Sequence, residues 1–396
     1  MPRVLFVVSA QVGQAPPLGP RKDYRVLADV LDATVLDYSD VQASPGAQRL
    51  ARVAGVAFAQ AWLAFRRRHE FDAILTDGEH IGIPLALMLK VARARIAHVT
   101  IGHRITADKK KPFFRWLGVQ SHMSRIALHA RAQYDRGIQQ LNIDAAKLAL
   151  VPYQVDTRFW CPQPVAEERV ICSAGLEFRD YPTLMHAVDG LDAQVVIGAA
   201  SHWSKRRNTA DGVDQPANVT VSAFDYAALR AQYARSSIVV VPLDDTDFQA
   251  GVTTILEAMA MAKPVIVTHS LGQTDVVEDR RTVTRGVEPR RRPESLLATL
   301  AHSEGVALEP TGFYVPPSDP GALRRAIQYL LDHPAERRRL GAAGRRAVER
   351  LTTVDQYAER LRGLVEDAVS ETSARAGVAG SRRMQLVPSA RAARGE

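Results

Sequence analysis

Residues 237–269 read SIVVVPLDDTDFQAGVTTILEAMAMAKPVIVTH. The two ends, SIVVVPL and PVIVTH, are short β-branched runs, while the middle sets apolar residues at helical spacing after a turn around Gly251. Strand, helix and strand in that order form a right-handed βαβ unit, with parallel strands in a sheet covered on both faces. Glu257 is the one charged side chain between Phe248 and Lys263. A carboxylate on an otherwise apolar helix needs a partner or a task.

The same alternation extends outward from this unit. In the first half it runs through RVLFVVSA (3–10), DYRVLADVLD (23–32), ATVLDY (33–38), FDAILTDG (71–78), IPLALMLKVARA (83–94) and IAHVTIGH (96–103). A second series opens after the Pro-containing VPYQVDTRFWCPQP (151–164) with RVICSAG (169–175), AQVVIGAA (193–200) and NVTVSAF (218–224). The pattern predicts an α/β chain of two Rossmann-like domains facing across a cleft, lined by the C-terminal ends of both sheets. Their expected bounds are 1–160 and 161–350, followed by a helix over 351–369 packing back on the first domain. A disordered tail is expected over 370–396, where few core-forming residues remain. The Arg-rich segment 279–310 lacks a clean period and reads as a surface insertion.

The 396 residues are 46% hydrophobic and 24% charged, enough apolar mass for two cores. No apolar run approaches the roughly 20 residues that span a bilayer. The N-terminal MPRVLFVVSAQVG reads as a first buried strand instead of a signal peptide. Cys161 and Cys172 make neither a disulfide framework nor a metal knuckle, which favours a reducing, cytoplasmic setting with membrane contact at most peripheral. A net charge of +8 favours anionic partners, discounted by a compositional bias in which only eight of 51 basic residues are Lys. No nucleic-acid recognition module is apparent. His80, His98 and His103 lack metal-ligand spacing, DDTD (244–247) reads as a surface loop, and no metal site is expected.

Three longer stretches add a resemblance. Residues 239–277, the run TGFYVPPSDPGALRRAIQYLLDHPAERRRLGAAGRRAVE (311–349) and the connection KLALVPYQVDTRFWCP (147–162) resemble GT-B fold glycosyltransferases, most nearly the retaining family-4 type. The likeness covers most of 145–362. That family marks its donor site with a Glu, seven residues and a second Glu that binds the ribose hydroxyls. Glu257 matches the second, Gln249 stands at the first, and Gly251, Val252 and Thr253 fall in the donor loop. Thr254, two residues, then Glu257 is also the spacing of a helix-capping box, so the spacing alone fits either role. With the surrounding pattern the ribose role leads.

Arg179 matches the family's phosphate-binding Lys, but the companion Arg is missing from SAGLE (173–177). Lys205 in SHWSKRR (201–207) is the candidate substitute, beside an equal reading as a solvated turn. His103 falls where these enzymes carry a His facing the donor sugar. Gly13 falls at the first-loop glycine, where backbone approaches the phosphates. Glu79 and His80 in DGEH (77–80) either contact acceptor hydroxyls or begin the next helix. Lys109 in DKKKPFFRW (108–116) either holds an anionic acceptor or acidic lipid, or belongs to an exposed basic turn whose aromatics are tucked into the core.

The resemblance implies transfer of a sugar from a nucleotide-diphosphate donor, a UDP-sugar first, to a hydroxyl of a small-molecule, glycan or lipid acceptor. It implies retention by a front-face route, without metal or other cofactor. An epimerase or phosphorylase on the same fold competes with it, as does a non-catalytic nucleotide-sugar-binding protein, encouraged by Gln at 249.

Overall fold

The computed structural model describes residues 1–13, 19–199, 214–279 and 295–384, with side chains as far as 375. The first half builds β1 (Val4–Val7), β2 (Thr34–Leu36), β3 (Ala73–Thr76), β4 (Ala97–Gly102), β5 (Arg125–Leu128) and β6 (Leu148–Leu150). The second builds β7 (Val170–Ala174), β8 (Gln194–Gly198), β9 (Val219–Ser222), β10 (Ile238–Val241), β11 (Val265–Thr268) and β12 (Gly312–Val315). They form two separate parallel sheets, ordered β2-β1-β3-β4-β5-β6 and β12-β11-β10-β7-β8-β9. Every residue of β1, β3, β4, β7, β10, β11 and β12 is buried, as strands covered by helices on both faces must be.

Strand order decides where a ligand can sit. In the first sheet the order reverses between β1 and β3, and in the second between β7 and β10. Connections leave such a pair in opposite directions and open a crevice at its carboxyl ends. Ser9 and Asp77 lie just past β1 and β3, while Gly175 and Leu243 lie just past β7 and β10. All four belong to loops that face the space between the domains.

The chain crosses between domains twice, side by side. Val155 receives a backbone bond from Val354 (3.1 Å) and gives one to Thr352 (2.9 Å). Arg21 locks both crossings: Nε reaches Asp156 at 3.1 Å, and Nη1 and Nη2 reach Asp355 at 2.8 and 2.9 Å. The helix Val354–Met384 then returns to the first domain, burying Tyr357, Leu361, Val365 and Ala368 with Phe6 and Val99.

This helix continues past Ser370, where the sequence suggests a disordered tail. Ala, Arg and Glu are strong helix formers, and Glu371 is anchored by Arg125 of β5. Residues 385–396 lie outside the described residues, as do Lys205 and residues 280–294 of the Arg-rich segment. The described end of that segment forms the helix Leu296–Ser303, started by Ser295 capping the N–H of Ala298 at 3.0 Å. Among the described residues no helix is long and apolar enough to cross a membrane.

Removing the Arg21 side chain leaves Asp156, whose own side chain is only 3% exposed, without its cation. Arg21→Ala is expected to lower the unfolding free energy by about 2 kcal/mol in urea titrations. Arg3→Ala, which breaks the exposed pair with Asp72, should leave the urea midpoint nearly unchanged.

Candidate active site

The second crevice is organised by a buried arginine. After β7 the chain turns through Gly175 (φ +99) and Phe178 (φ +55), which folds Arg179 back beneath the strand end. Its Nε donates to the Ala174 carbonyl (2.9 Å), Nη1 to the Glu177 carbonyl (2.8 Å) and Nη2 to Thr254 Oγ1 (3.1 Å). Only 3% of the residue is exposed. Burial draws the guanidinium's pKa below its ordinary value, opposed by Tyr181, Tyr233 and Glu257. The fit depends on two glycines: a Cβ on Gly175 would lie 2.4 Å from Nη2, and one on Gly251 3.3 Å from Nη1. Arg179 therefore supplies positive charge from a fixed position in the crevice wall.

Gly251 (φ +73) is also the cap of helix Val252–Ala260, and as glycine it offers no side chain to the first-turn N–H groups. These groups and the helix dipole make the loop end attractive to an anion. Thr254 stands inside the helix, and its hydroxyl is engaged by Arg179 instead of closing the helix start. The capping-box reading of Thr254 and Glu257 is thereby removed. Glu257 sits half-buried, one and a half turns in, 3.5 Å from the hydroxyl of Tyr233. Burial pushes its pKa up to about 8, against the lowering effects of Tyr233, Arg179 and Lys22.

Glu257 and Arg179 line a cavity of about 830 Å³ between the domains, with Thr253 and Gly251 on the same wall. The facing wall brings Lys22, Asp23 and Tyr153. Lys22 Nζ donates to Tyr226 Oη across the cavity at 3.0 Å and joins the halves. Val252 is buried at the helix start, whereas Thr253 is exposed.

Gln249 does not line this cavity. It belongs to a small adjoining pocket with His129, Tyr153 and Leu256, and its Oε1 is buried with no hydrogen-bond partner. His129 is a residue the sequence reading missed. Its Nδ1–H donates to the Val151 carbonyl at 2.8 Å, and burial pushes its pKa down to about 3. A neutral ring with a buried, unpartnered Nε2 therefore stands in the same pocket as Gln249. The available signal was position, since His129 directly follows β5 as His103 follows β4.

On the first sheet, His103 is exposed, donates from Nε2 to the Asp77 carbonyl (3.0 Å) and lies 5.4 Å from His129, ring to ring. Glu79 is 3% exposed, so it presents almost no surface to an acceptor. Its oxygens accept from the backbone N–H of His103 (2.9 Å) and Arg104 (3.0 Å) and from Lys110. Burial alone would raise its pKa, but Lys110 and those donors hold it down at about 2. Glu79 is thus the anchor of the 103–110 loop. His80 is exposed with its ring folded over Gly78, and Lys109 is exposed on a short 3-10 turn. Gly13 is exposed, with open space where a Cβ would stand. Asp77, also unforeseen, binds Ser9 N–H at 2.6 Å through Oδ2, while its buried Oδ1 has no partner.

The DDTD loop closes the interface. Asp247 pairs with Arg104 (2.9 Å) and Arg136 (2.6 Å) of the other domain, and Asp245 accepts from Leu271 N–H at 3.2 Å.

Comparison with known proteins matches this frame. A family model for glycosyl transferases group 1 fits residues 178–333, the region holding Arg179 and Glu257. A curated relative, the MMP alpha-(1->4)-mannosyltransferase of Mycolicibacterium hassiacum, is 24% identical over 339 residues, covering 78% of this chain and 73% of its own. Among solved structures, sucrose-phosphate synthase from Thermosynechococcus elongatus superposes with a TM-score of 0.66 at 17% identity, over 93% of this chain and 99% of that one. HepE from Anabaena in complex with UDP-glucose gives 0.63 at 15% identity, over 94% and 100%. The chain carries a glycosyl transferases group 1 domain within the GT-B fold, and is a glycosyltransferase.

Proposed function

We propose that this glycosyltransferase takes its sugar from a nucleotide-diphosphate donor bound in the 830 Å³ cavity. The observation that supports this most is the Glu257 carboxylate, which shares that cavity with Arg179 and an uncapped helix N-terminus. Ribose hydroxyls donate to Glu257, while the diphosphate lies against the N–H groups of Val252 and Thr253 and the positive charge of Arg179. UDP is the first nucleotide to test, since HepE was solved with UDP-glucose. The acceptor hydroxyl enters from the first domain, past His103.

Transfer is proposed to retain the anomeric configuration. Gln249 cannot act as a carboxylate nucleophile, which favours front-face attack over double displacement. The bond from the anomeric carbon to the diphosphate breaks as the acceptor oxygen arrives on the same face, and the departing phosphate oxygen takes the acceptor proton. The donor sugar is proposed to reach from the cavity to the adjoining pocket, where the unpartnered Oε1 of Gln249 accepts from one of its hydroxyls and fixes the ring. The reaction needs no metal in this proposal, because Arg179 and the helix N-terminus meet the diphosphate charge. Turnover is then expected to survive EDTA, and complete loss restored by magnesium or manganese would contradict it.

Glu257→Ala should weaken nucleotide binding by about 1.5 to 3 kcal/mol, the worth of hydrogen bonds to a charged group, and Glu257→Gln less. Hydroxyl donors favour the ionised carboxylate, so binding should release a proton near neutrality. Between pH 7 and 8 the ionised fraction of a group titrating near 8 rises about fivefold, and affinity should rise with it. In the free protein the sign is opposite. Its folded pKa lies above the unfolded value, so the stability Glu257 contributes is complete below about pH 4.5 and lost as pH rises toward 8. Calorimetry across pH measures the binding effect, and Glu257→Gln should flatten that part of the slope.

Gln249→Ala should lower turnover far more than nucleotide affinity, and Gln249→Glu should keep appreciable activity. Proton NMR of the product reads its anomeric configuration; inversion would reject the retaining assignment, and normal turnover in Gln249→Ala would remove this residue from the site.

A further inference from the structure

The basic stretch DKKKPFFRW does not act as one unit. Lys110 turns to Glu79 at the start of helix Glu79–Val91. Lys90, about 16 Å further along that helix, donates to the carbonyls of Leu117 (2.6 Å) and Gly118 (3.2 Å). The segment therefore runs from the cleft to the opposite pole of the first domain, where β4, β5 and β6 begin. Phe114 is tucked into the core as the sequence suggests, but Trp116 is 82% exposed, and Leu117 and Val91 are 44% and 80% exposed. Three large apolar side chains at one pole are more than scattered surface hydrophobics.

A cavity of about 570 Å³ opens at this pole, between the beginnings of those strands and the helix Val354–Met384. Arg95, Arg125, Lys147 and Arg375 line it against two acids, Asp144 and Glu371, above an apolar floor that includes Ile96 and Met123. The cations crowd one another. Burial lowers the pKa of Lys147, and Arg375, Arg125 and Arg95 lower it further against Asp144. Glu371 covers Arg125 with an ion pair whose carboxylate is 43% exposed, so an incoming phosphate can take its place on the guanidinium.

We infer that this pole docks on an anionic lipid surface, with a headgroup phosphate entering the cavity beside Arg95 and Lys147 while Trp116, Leu117 and Val91 enter the interface. Trp favours the headgroup level because its ring is apolar and its N–H is polar. Lys and Arg near an anionic leaflet each add to attraction within a Debye length. Nucleic acid would leave the aliphatic side chains wet. The docking face and the donor cleft occupy opposite ends of the same strands, so a docked molecule keeps its cleft open to solvent. This inference is independent of the donor-site reading.

The test uses the full chain and vesicles of phosphatidylcholine, alone or mixed with phosphatidylglycerol. Co-sedimentation is expected with the mixed vesicles only, weakening as salt is raised, with a blue shift in tryptophan emission that Trp116→Phe removes. Arg95→Glu should lower partitioning by at least about fivefold, the worth of one cation at such a surface. Paired Trp116→Ala and Leu117→Ala should lower it as well. These side chains are exposed, and circular dichroism checks the fold. Nucleotide affinity is expected to stay unchanged in each variant, which separates failure here from failure of the donor site. Equal binding to neutral vesicles, binding to neither, or anionic binding insensitive to these substitutions would overturn the inference. So would protection by inorganic phosphate without vesicle binding, which would make the cavity a site for a soluble anion.

Discussion

The guanidinium of Arg179 is the point on which the donor half depends. It ties the end of β7 to the helix that follows β10, through Ala174 on one side and Thr254 on the other. Two glycines with positive φ admit it: a side chain at Gly175 would occupy its place, and one at Gly251 would press on Val241 and crowd Nη1. Because the cation is fixed and largely desolvated, its field reaches the cavity with little screening. The same burial that strengthens Arg179 raises the pKa of Glu257, so one wall holds a constant positive charge and a carboxyl poised near neutrality. This is the kind of pairing by which a site distinguishes a charged, hydroxyl-rich ligand from water.

The interface between the domains is built differently from either core. Each sheet is closed by apolar packing, whereas the domains meet through Asp247 with Arg104 and Arg136, and through Lys22 with Tyr226. Polar contacts of this type can exchange for water or ligand at small cost, unlike interdigitated aliphatic side chains. The two crossings at Val155 and Val354, clamped by Arg21, are the fixed hinge about which such exchange can occur. A ligand spanning Lys22 and Glu257 would replace the Lys22 to Tyr226 bridge with contacts of its own.

The parallel sheets were legible in the sequence because both-face burial writes strands as unbroken Val and Ile runs, as in 238–241 and 265–268. The switch points follow from that alternation once strand order is known, but strand order itself is not written in any local run. Glu79 illustrates the limit. A carboxylate at a strand end looks like cleft chemistry, yet the loop carrying Lys110 folds over it and takes both oxygens. Thr254 fails in the opposite sense, since its capping-box spacing is real while the cap is Gly251, three residues earlier. Asp77 and His129 went unnoticed because a single polar residue after a strand has no spacing to announce it. Trp116 read as core with Phe113 and Phe114, but the short helix Lys111–Arg115 turns Phe114 inward and leaves Trp116, at its C-terminal cap, exposed.

The most direct measurement is thermal unfolding of the full chain with UDP, GDP, ADP and TDP in turn. A nucleoside diphosphate held by Glu257, Arg179 and the helix N-terminus, at a hundred times its dissociation constant, adds about 2.7 kcal/mol of stability. The account predicts one clear winner among the four, with the shift reduced in Glu257→Ala. No stabilisation by any of them, or an equal shift in wild-type and variant, would contradict a donor bound in this cavity.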